Sequence, residues 1–264
     1  MGKALRAELL KALTLPTTWI AALIAIVLPL GLEIYQTRGL VALLEASDAY
    51  SLGFVPDAGF ISLVFGASAA IMLGTGVMAS EYRANAPSVG SSRQASTTLL
   101  VMPRRVLGMT ARLLVVLGLV AVLAAAASGL TFAWTHHALG SWSQVFPFPW
   151  GRWLALLGWW ELNAVWAVAL AAVSRGSLLP LAWLIPTATL VSPSLLFYRM
   201  GSAVVQLLPD YTSLRLIAHS WPPAGGPGTG PAPFISSALA FGVQGVWLVV
   251  GALVAYAAWV WRRA

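Results

Sequence analysis

Six apolar stretches constrain this chain more than any other feature in it. They fall at approximately 17–36, 59–79, 110–134, 153–173, 177–197 and 238–260. The hydrocarbon core of a bilayer accepts about 20 apolar residues as a helix, and each stretch is long enough to cross. The expected fold is an all-α polytopic membrane protein with six transmembrane helices. Composition agrees: 59% of the 264 residues are hydrophobic, 9% are charged and the mean hydropathy is +0.83. A soluble domain carries roughly 25% charged residues. The whole chain, 1–264, therefore reads as one transmembrane domain with no room for a second sizeable soluble one. Cysteine is absent, which excludes disulfides, thiolate metal sites and a cysteine nucleophile. No phosphate-binding loop motif occurs, so any ATP chemistry must come from another chain.

The basic residues set the topology. With the N-terminus inside, Lys3, Arg6, Lys11, Arg83, Arg93, Arg104, Arg105, Arg112, Arg175, Arg262 and Arg263 fall on the cytoplasmic side, eleven of the fifteen basic residues. Arg38, Arg152, Arg199 and Arg215 fall outside, together with or near the acids Glu33, Glu45, Asp48, Asp57 and Asp210. Cytoplasmic loops carry the excess of Lys and Arg, and an even number of spans returns the C-terminus to the cytoplasm. The net charge of +7 is thus explained by topology and anionic lipid rather than by nucleic acid. Thirteen arginines against two lysines, with abundant alanine, point to a bacterial plasma membrane. The basic N-terminus reads as retained rather than as a cleaved signal.

Residues 1–15 form an amphipathic interfacial helix, with Leu5, Leu9 and Leu13 repeating every four residues, and Pro16 marks the bend into the first span. Ser174, Arg175 and Gly176 make a tight cytoplasmic hairpin between the fourth and fifth spans. Between the fifth and sixth lies an outer segment, 198–237. Its short apolar pieces, 203–208 and 212–218, are too short to cross and read as re-entrant or interfacial helices. Gly66, Ser68, Ala69, Ala70, Gly74 and Gly76 in the second span, and Gly242, Gly245 and Gly251 in the sixth, allow close helix approach, within the chain or at a subunit seam. Pro29, Pro180, Pro186 and Pro193 are expected to break or kink their spans.

Three polar residues at membrane depth are candidates for a substrate route: Glu161, Asn163 and Glu33. An intramembrane carboxylate faces a bundle interior or water, so Glu161 either contacts a substrate or pairs within the bundle, with Arg152 as the nearest cation in sequence. Glu33, near the end of the first apolar stretch, reads as interfacial. His136 and His137 are adjacent, share no helix face and make a poor metal site.

The loop between the second and third spans carries the most specific pattern. An amphipathic helix and two spans are followed by Glu81-Tyr82-Arg83, a small polar stretch, Thr98-Leu99-Leu100, Pro103-Arg104-Arg105 and Arg112. This order resembles the permease subunits of type-2 ABC exporters, in which an acid–aromatic pair closes the second span. A leucine pair, a proline and a basic residue then precede the third. Asn85-Ala86-Pro87 stands where that family carries a Gly-Thr pair. The resemblance implies a permease of an ATP-driven ABC exporter, without catalytic residues of its own. The cargo would be a hydrophobic or amphipathic compound such as a drug, antibiotic, lipid or peptide. It implies a cytoplasmic coupling loop at 80–109 that docks on a separate ABC ATPase, with Glu81, Tyr82, Arg83, Arg93, Pro103 and Arg104 as coupling residues. ATP and Mg would be bound by that partner, no cofactor by this chain, and a second permease copy or related chain would complete the membrane part. The alternative is an integral-membrane enzyme, or a non-transporting membrane sensor or assembly protein.

Overall fold

The computed structural model describes residues 1–46, 55–83, 105–143, 148–189, 192–200, 202–219 and 236–261, and these are helical, with no strand among them. The N-terminal helix α1 (Gly2–Thr14) stops at Leu15, whose backbone is extended, and Pro16 opens α2 (Pro16–Glu45) at its first turn. A helix end leaves carbonyls without partners. Here Thr18 Oγ1 donates to the Ala12 carbonyl at 2.6 Å and Trp19 Nε1 to that of Leu13 at 2.9 Å, which pins the corner. The face of α1 that packs inward is Ala4, Glu8 and Ala12, so the leucine repeat lies beside the buried stripe, with Leu9 and Leu13 exposed. Small residues let α1 lie close to its neighbours, and bulkier leucines on that face would hold it away.

α2 is 30 residues, about 45 Å of helix, and runs nine residues past the end of its apolar stretch. It continues through Pro29, where a break or kink is expected from sequence. Its inward stripe is Thr18, Ala21, Ala25, Pro29, Glu33 and Thr37, one residue per turn. Leu23, Val27 and Tyr35 on the other faces are exposed, as suits a helix against lipid.

The second apolar stretch forms α3 (Phe60–Phe65) and α4 (Ala67–Ala79), broken at Gly66, and ends in the 3-10 turn Ser80–Tyr82. Its central window is 83% buried, against 28% for α2, which makes it the axis of the bundle. Glycines permit this. A Cβ on Gly66 would stand 1.9 Å from Trp160 Cζ2, and one on Gly74 would stand 2.5 Å from the Ala164 carbonyl oxygen. Trp160 Nε1 donates to the Leu63 carbonyl at 2.9 Å, so the indole fills the space beside Gly66.

The third stretch is α5 (Arg105–Leu139), which begins inside the segment read as the 80–109 loop. The fourth is α6 (Trp150–Ser174), ended by Arg175 in the left-handed region at φ 54°. α4 packs most extensively on α6 and α2, α6 also on the last helix, and α2 on α5. The fifth stretch, read as 177–197, is divided into α7 (Leu178–Thr189) and α8 (Pro193–Arg199), each too short to cross alone. Pro193 starts a new helix rather than continuing one, since it lacks the N–H and disfavours a helical residue before it. A 3-10 turn (Ala203–Leu207) and α9 (Pro209–Ile217) occupy the two short apolar pieces, and α10 (Ser237–Trp261) closes the chain. Among the described residues, five spans are long and apolar enough to cross: α2, α3 with α4, α5, α6 and α10.

Candidate functional site

Among the described residues, buried charged groups of this bundle include three hydrogen-bonded or ion-paired settings. One lies at the end that carries α1, called the near end, and two lie towards the opposite, far end.

The near-end setting joins three elements. Glu81, in the turn that ends α4, accepts from Arg112 Nη2 at 2.8 Å and from Lys11 Nζ of α1. Arg112 Nη2 also reaches Glu8 Oε1 at 3.1 Å, and Lys11 lies 4.0 Å from the other Glu8 oxygen. Arg112 and Glu81 are fully buried and Glu8 nearly so. The Arg112 guanidinium also rests 4.8 Å from the Trp259 ring centre and 3.6 Å from Met78 Sδ. Two cations and two carboxylates thus form a charge-balanced cluster out of water, the condition under which buried ions are tolerable. Removing one partner would strand the others.

This cluster sits at the base of the loop that carries the coupling motif. Glu81 lies in the first turn of the 80–109 segment, and Arg112 follows that segment, two turns inside α5. Tyr82 donates to the Ala172 carbonyl at 3.4 Å, tying the same turn to α6, while Arg83 is exposed. Arg105 Nη1 donates to the Val260 carbonyl of α10 at 3.3 Å. Arg93, Pro103 and Arg104 lie outside the described residues.

Towards the far end, Glu33 is fully buried within the bundle. The helix continues twelve residues beyond it, which carries it into the bundle. Thr135 Oγ1 donates to one carboxylate oxygen at 2.8 Å and Ser62 Oγ to the other at 2.6 Å. Both hydroxyls have a second acceptor, the Thr131 carbonyl at 2.9 Å and Gln36 Oε1 at 3.4 Å. No cation pairs with Glu33 among the described residues.

The last setting is a clamp. Arg152 does not pair with Glu161. Its Nη2 donates to Asp57 Oδ1 at 2.6 Å, its Nη1 to the Pro56 carbonyl at 2.6 Å and its Nε to the Ile217 carbonyl at 2.7 Å. The His219 N–H completes it on Asp57 Oδ1 at 2.7 Å. The guanidinium lies 3.9 Å from the Phe60 ring centre, so the clamp locks α3, α6 and the end of α9 together.

The candidate route residues are not gathered in one place. Glu161 is the twelfth of the 25 residues of α6, half-buried, with no hydrogen bond or ion pair among the described residues. Asn163, two residues on and hence on a different face, donates to the Trp159 carbonyl at 2.9 Å and lines a cavity of about 430 Å³ between α6, α7, α9 and α10. Glu33 backs a separate groove of about 720 Å³ with Gln36, Leu40 and Ile61. Sequence reasoning singled out Glu81 but missed Glu8 and Lys11 in its cluster, and Asp57 as the partner of Arg152. The available signal was that opposite charges occur at both edges of apolar stretches, where each isolated ion would be costly.

The fold is that of a helical membrane protein, held at its near end by a buried ionic cluster and at its far end by a clamp. Comparison with protein-family models, with curated proteins and with solved structures finds no match for this chain.

Proposed function

We propose that this chain is the membrane-spanning permease subunit of an ATP-driven exporter of the type-2 ABC kind, crossing six times with α7 and α8 together supplying an interrupted fifth crossing. Both termini then lie in the cytoplasm of a bacterial cell, and the near end is the cytoplasmic face. One observation carries the proposal: the Glu8–Lys11–Glu81–Arg112 cluster ties α1, the end of α4 and the start of α5 into one body at the base of the loop bearing the motif. A lever needs such a base. A push delivered to the loop by a separate ATPase would pass through Glu81 to the most buried span and through Arg112 to α5. ATP and Mg would belong to that ATPase, and a second permease copy or related chain would form the other half of the route. Both apolar cavities suit a hydrophobic or amphipathic cargo.

The decisive experiment is co-purification in mild detergent with the protein tagged: an ATP-hydrolysing chain comes down with it. If none does under conditions that preserve the folded permease, the proposal fails. In the assembled complex, Arg83→Glu with Arg93→Glu lowers ATPase binding or separates hydrolysis from transport while membrane insertion is unchanged. Normal cargo-stimulated hydrolysis in that variant would remove the loop from the mechanism.

A further inference from the structure

The cavity between α6, α7, α9 and α10 has an unusual wall. Trp159, Trp166, Trp183 and Trp247 line it, with Leu170 and Leu179 towards the near end and Asp210 towards the far end. Two of the indoles are fixed by their N–H groups, Trp166 on the Trp247 carbonyl at 3.2 Å and Trp247 on the Leu207 carbonyl at 2.7 Å. Their ring centres stand 5.9 Å apart. Asp210 is 7% exposed. Its Oδ2 takes both a hydrogen bond from Ser192 Oγ at 2.6 Å and one from the Ser194 N–H at 2.9 Å, so its orientation is set while Oδ1 is engaged by neither. No Lys or Arg lines the cavity, and no cation pairs with Asp210 among the described residues.

Three of the other buried acids, Glu8, Glu81 and Asp57, have a basic side chain as partner, and Glu33 is held by two hydroxyls. Asp210, like Glu33, has two donors and no cation among the described residues, but it lies on a cavity lined by four tryptophans. A buried carboxylate beside a cavity that holds no fixed cation can accept a cationic ligand, and indole faces attract positive charge through their quadrupoles, most strongly where water is excluded. We propose that the cavity binds an amphipathic organic cation, its charge held beside Asp210 and between the indole faces, and its apolar body lying towards Leu170 and Leu179. Trp183, at 62% exposed, forms the side of the cavity open to lipid, so such a ligand can enter laterally from the bilayer. The cavity volume of about 430 Å³ suits a molecule of three or four fused or linked rings rather than a long polymer. As the identity of the cargo, this rests on the exporter reading; as a binding site, it does not.

The test is equilibrium dialysis of radiolabelled tetraphenylphosphonium against the full chain in detergent, with triphenylphosphine oxide as an uncharged probe bearing similar rings. The cation binds saturably and at least tenfold more tightly than the neutral probe. Asp210→Asn removes at least tenfold of the cation's affinity and leaves that of the neutral probe unchanged. Equal binding of the two probes by the unaltered protein, or an unchanged cation affinity in Asp210→Asn, overturns the proposal. Should Asp210→Asn fail to fold, Trp183→Leu decides, because that side chain faces outward and its loss leaves the packing intact. It weakens cation binding several-fold, and an unchanged affinity sinks the site. No ATPase enters this measurement, so failure here leaves the exporter reading standing, and failure of the co-purification leaves the cation site standing.

Discussion

Glu81 and Glu33 are both fully buried carboxylates in the same helical bundle, yet the protein treats them in opposite ways. Glu81 is met by two full positive charges, Lys11 and Arg112, and Glu8 restores the balance. Glu33 is met by two hydroxyls. An ion pair in low dielectric is strong but brittle: each ion has already lost its hydration, so taking away a partner leaves a bare charge. Hydroxyls are weaker donors, but they rotate and can turn from one acceptor to another. The near end is therefore built to hold three elements in one arrangement. The Glu33 setting can change its hydrogen bonding without changing the backbone. That division suits a molecule driven from one end and adaptable at the other.

The comparison can be broken by substitution, with folding followed by the fluorescence of the thirteen tryptophans during titration into denaturing detergent. The largest effect is expected for Arg112→Met, which leaves Glu8 and Glu81 sharing only Lys11 and costs about 3–5 kcal/mol. Adding Glu81→Gln to it rebalances the cluster and recovers a substantial part of that loss; a cost below about 1 kcal/mol for the single change would mean that the cluster is not an ionic lock. Next comes Gly74→Ala, whose new methyl would fall 2.5 Å from a backbone oxygen that no rotamer change can move. Overpacking of this kind costs about 1–3 kcal/mol. Its control is Gly242→Ala, which meets nothing within 4 Å and is neutral or slightly stabilising through helix propensity. Smallest is Glu33→Gln, expected to cost less than about 1 kcal/mol because Ser62 and Thr135 can redirect their protons to the acceptors they already touch. A loss as large as that of Arg112→Met would show that Glu33 depends on a full charge, and the contrast between the two carboxylates would collapse.

Much of the architecture was legible in advance. The spans at 59–79, 153–173 and 238–260 fall within a few residues of the observed helices, because an apolar run and the helix that buries it share the same residues. The crowding of small residues in the second span pointed to close helix approach, within the chain or at a subunit seam, and Gly66, Gly74 and Gly76 all meet neighbours of the same chain. Other features lay beyond what the apolar runs could show. The partners of Glu33 are among them: the apolar run ends near it, but the helix continues to Glu45, and Ser62 and Thr135 reach it from other elements. The leucine repeat of α1 read as an interfacial face, with Leu9 and Leu13 exposed, and the face that packs on the bundle, Ala4, Glu8 and Ala12, went unread; it brings Glu8 within reach of Arg112. The apolar stretch at 177–197 read as a crossing with prolines expected to break or kink it, and a new helix starts at Pro193.

By itself, then, the sequence indicated a helical membrane protein and roughly which stretches form its long apolar helices, and it carries no phosphate-binding loop motif. Those are properties of runs along the chain: length against bilayer thickness, and the presence or absence of a local motif. Which charges neutralise which was decided only by tertiary structure. Glu81 lies 31 residues from Arg112 and 70 from Lys11, and nothing in the spacing pairs them. They meet because glycines let α4 sink into the centre of the bundle and alanines let α1 close against it. Once those backbones approach, the cost of burying a lone charge leaves the four groups one another as partners.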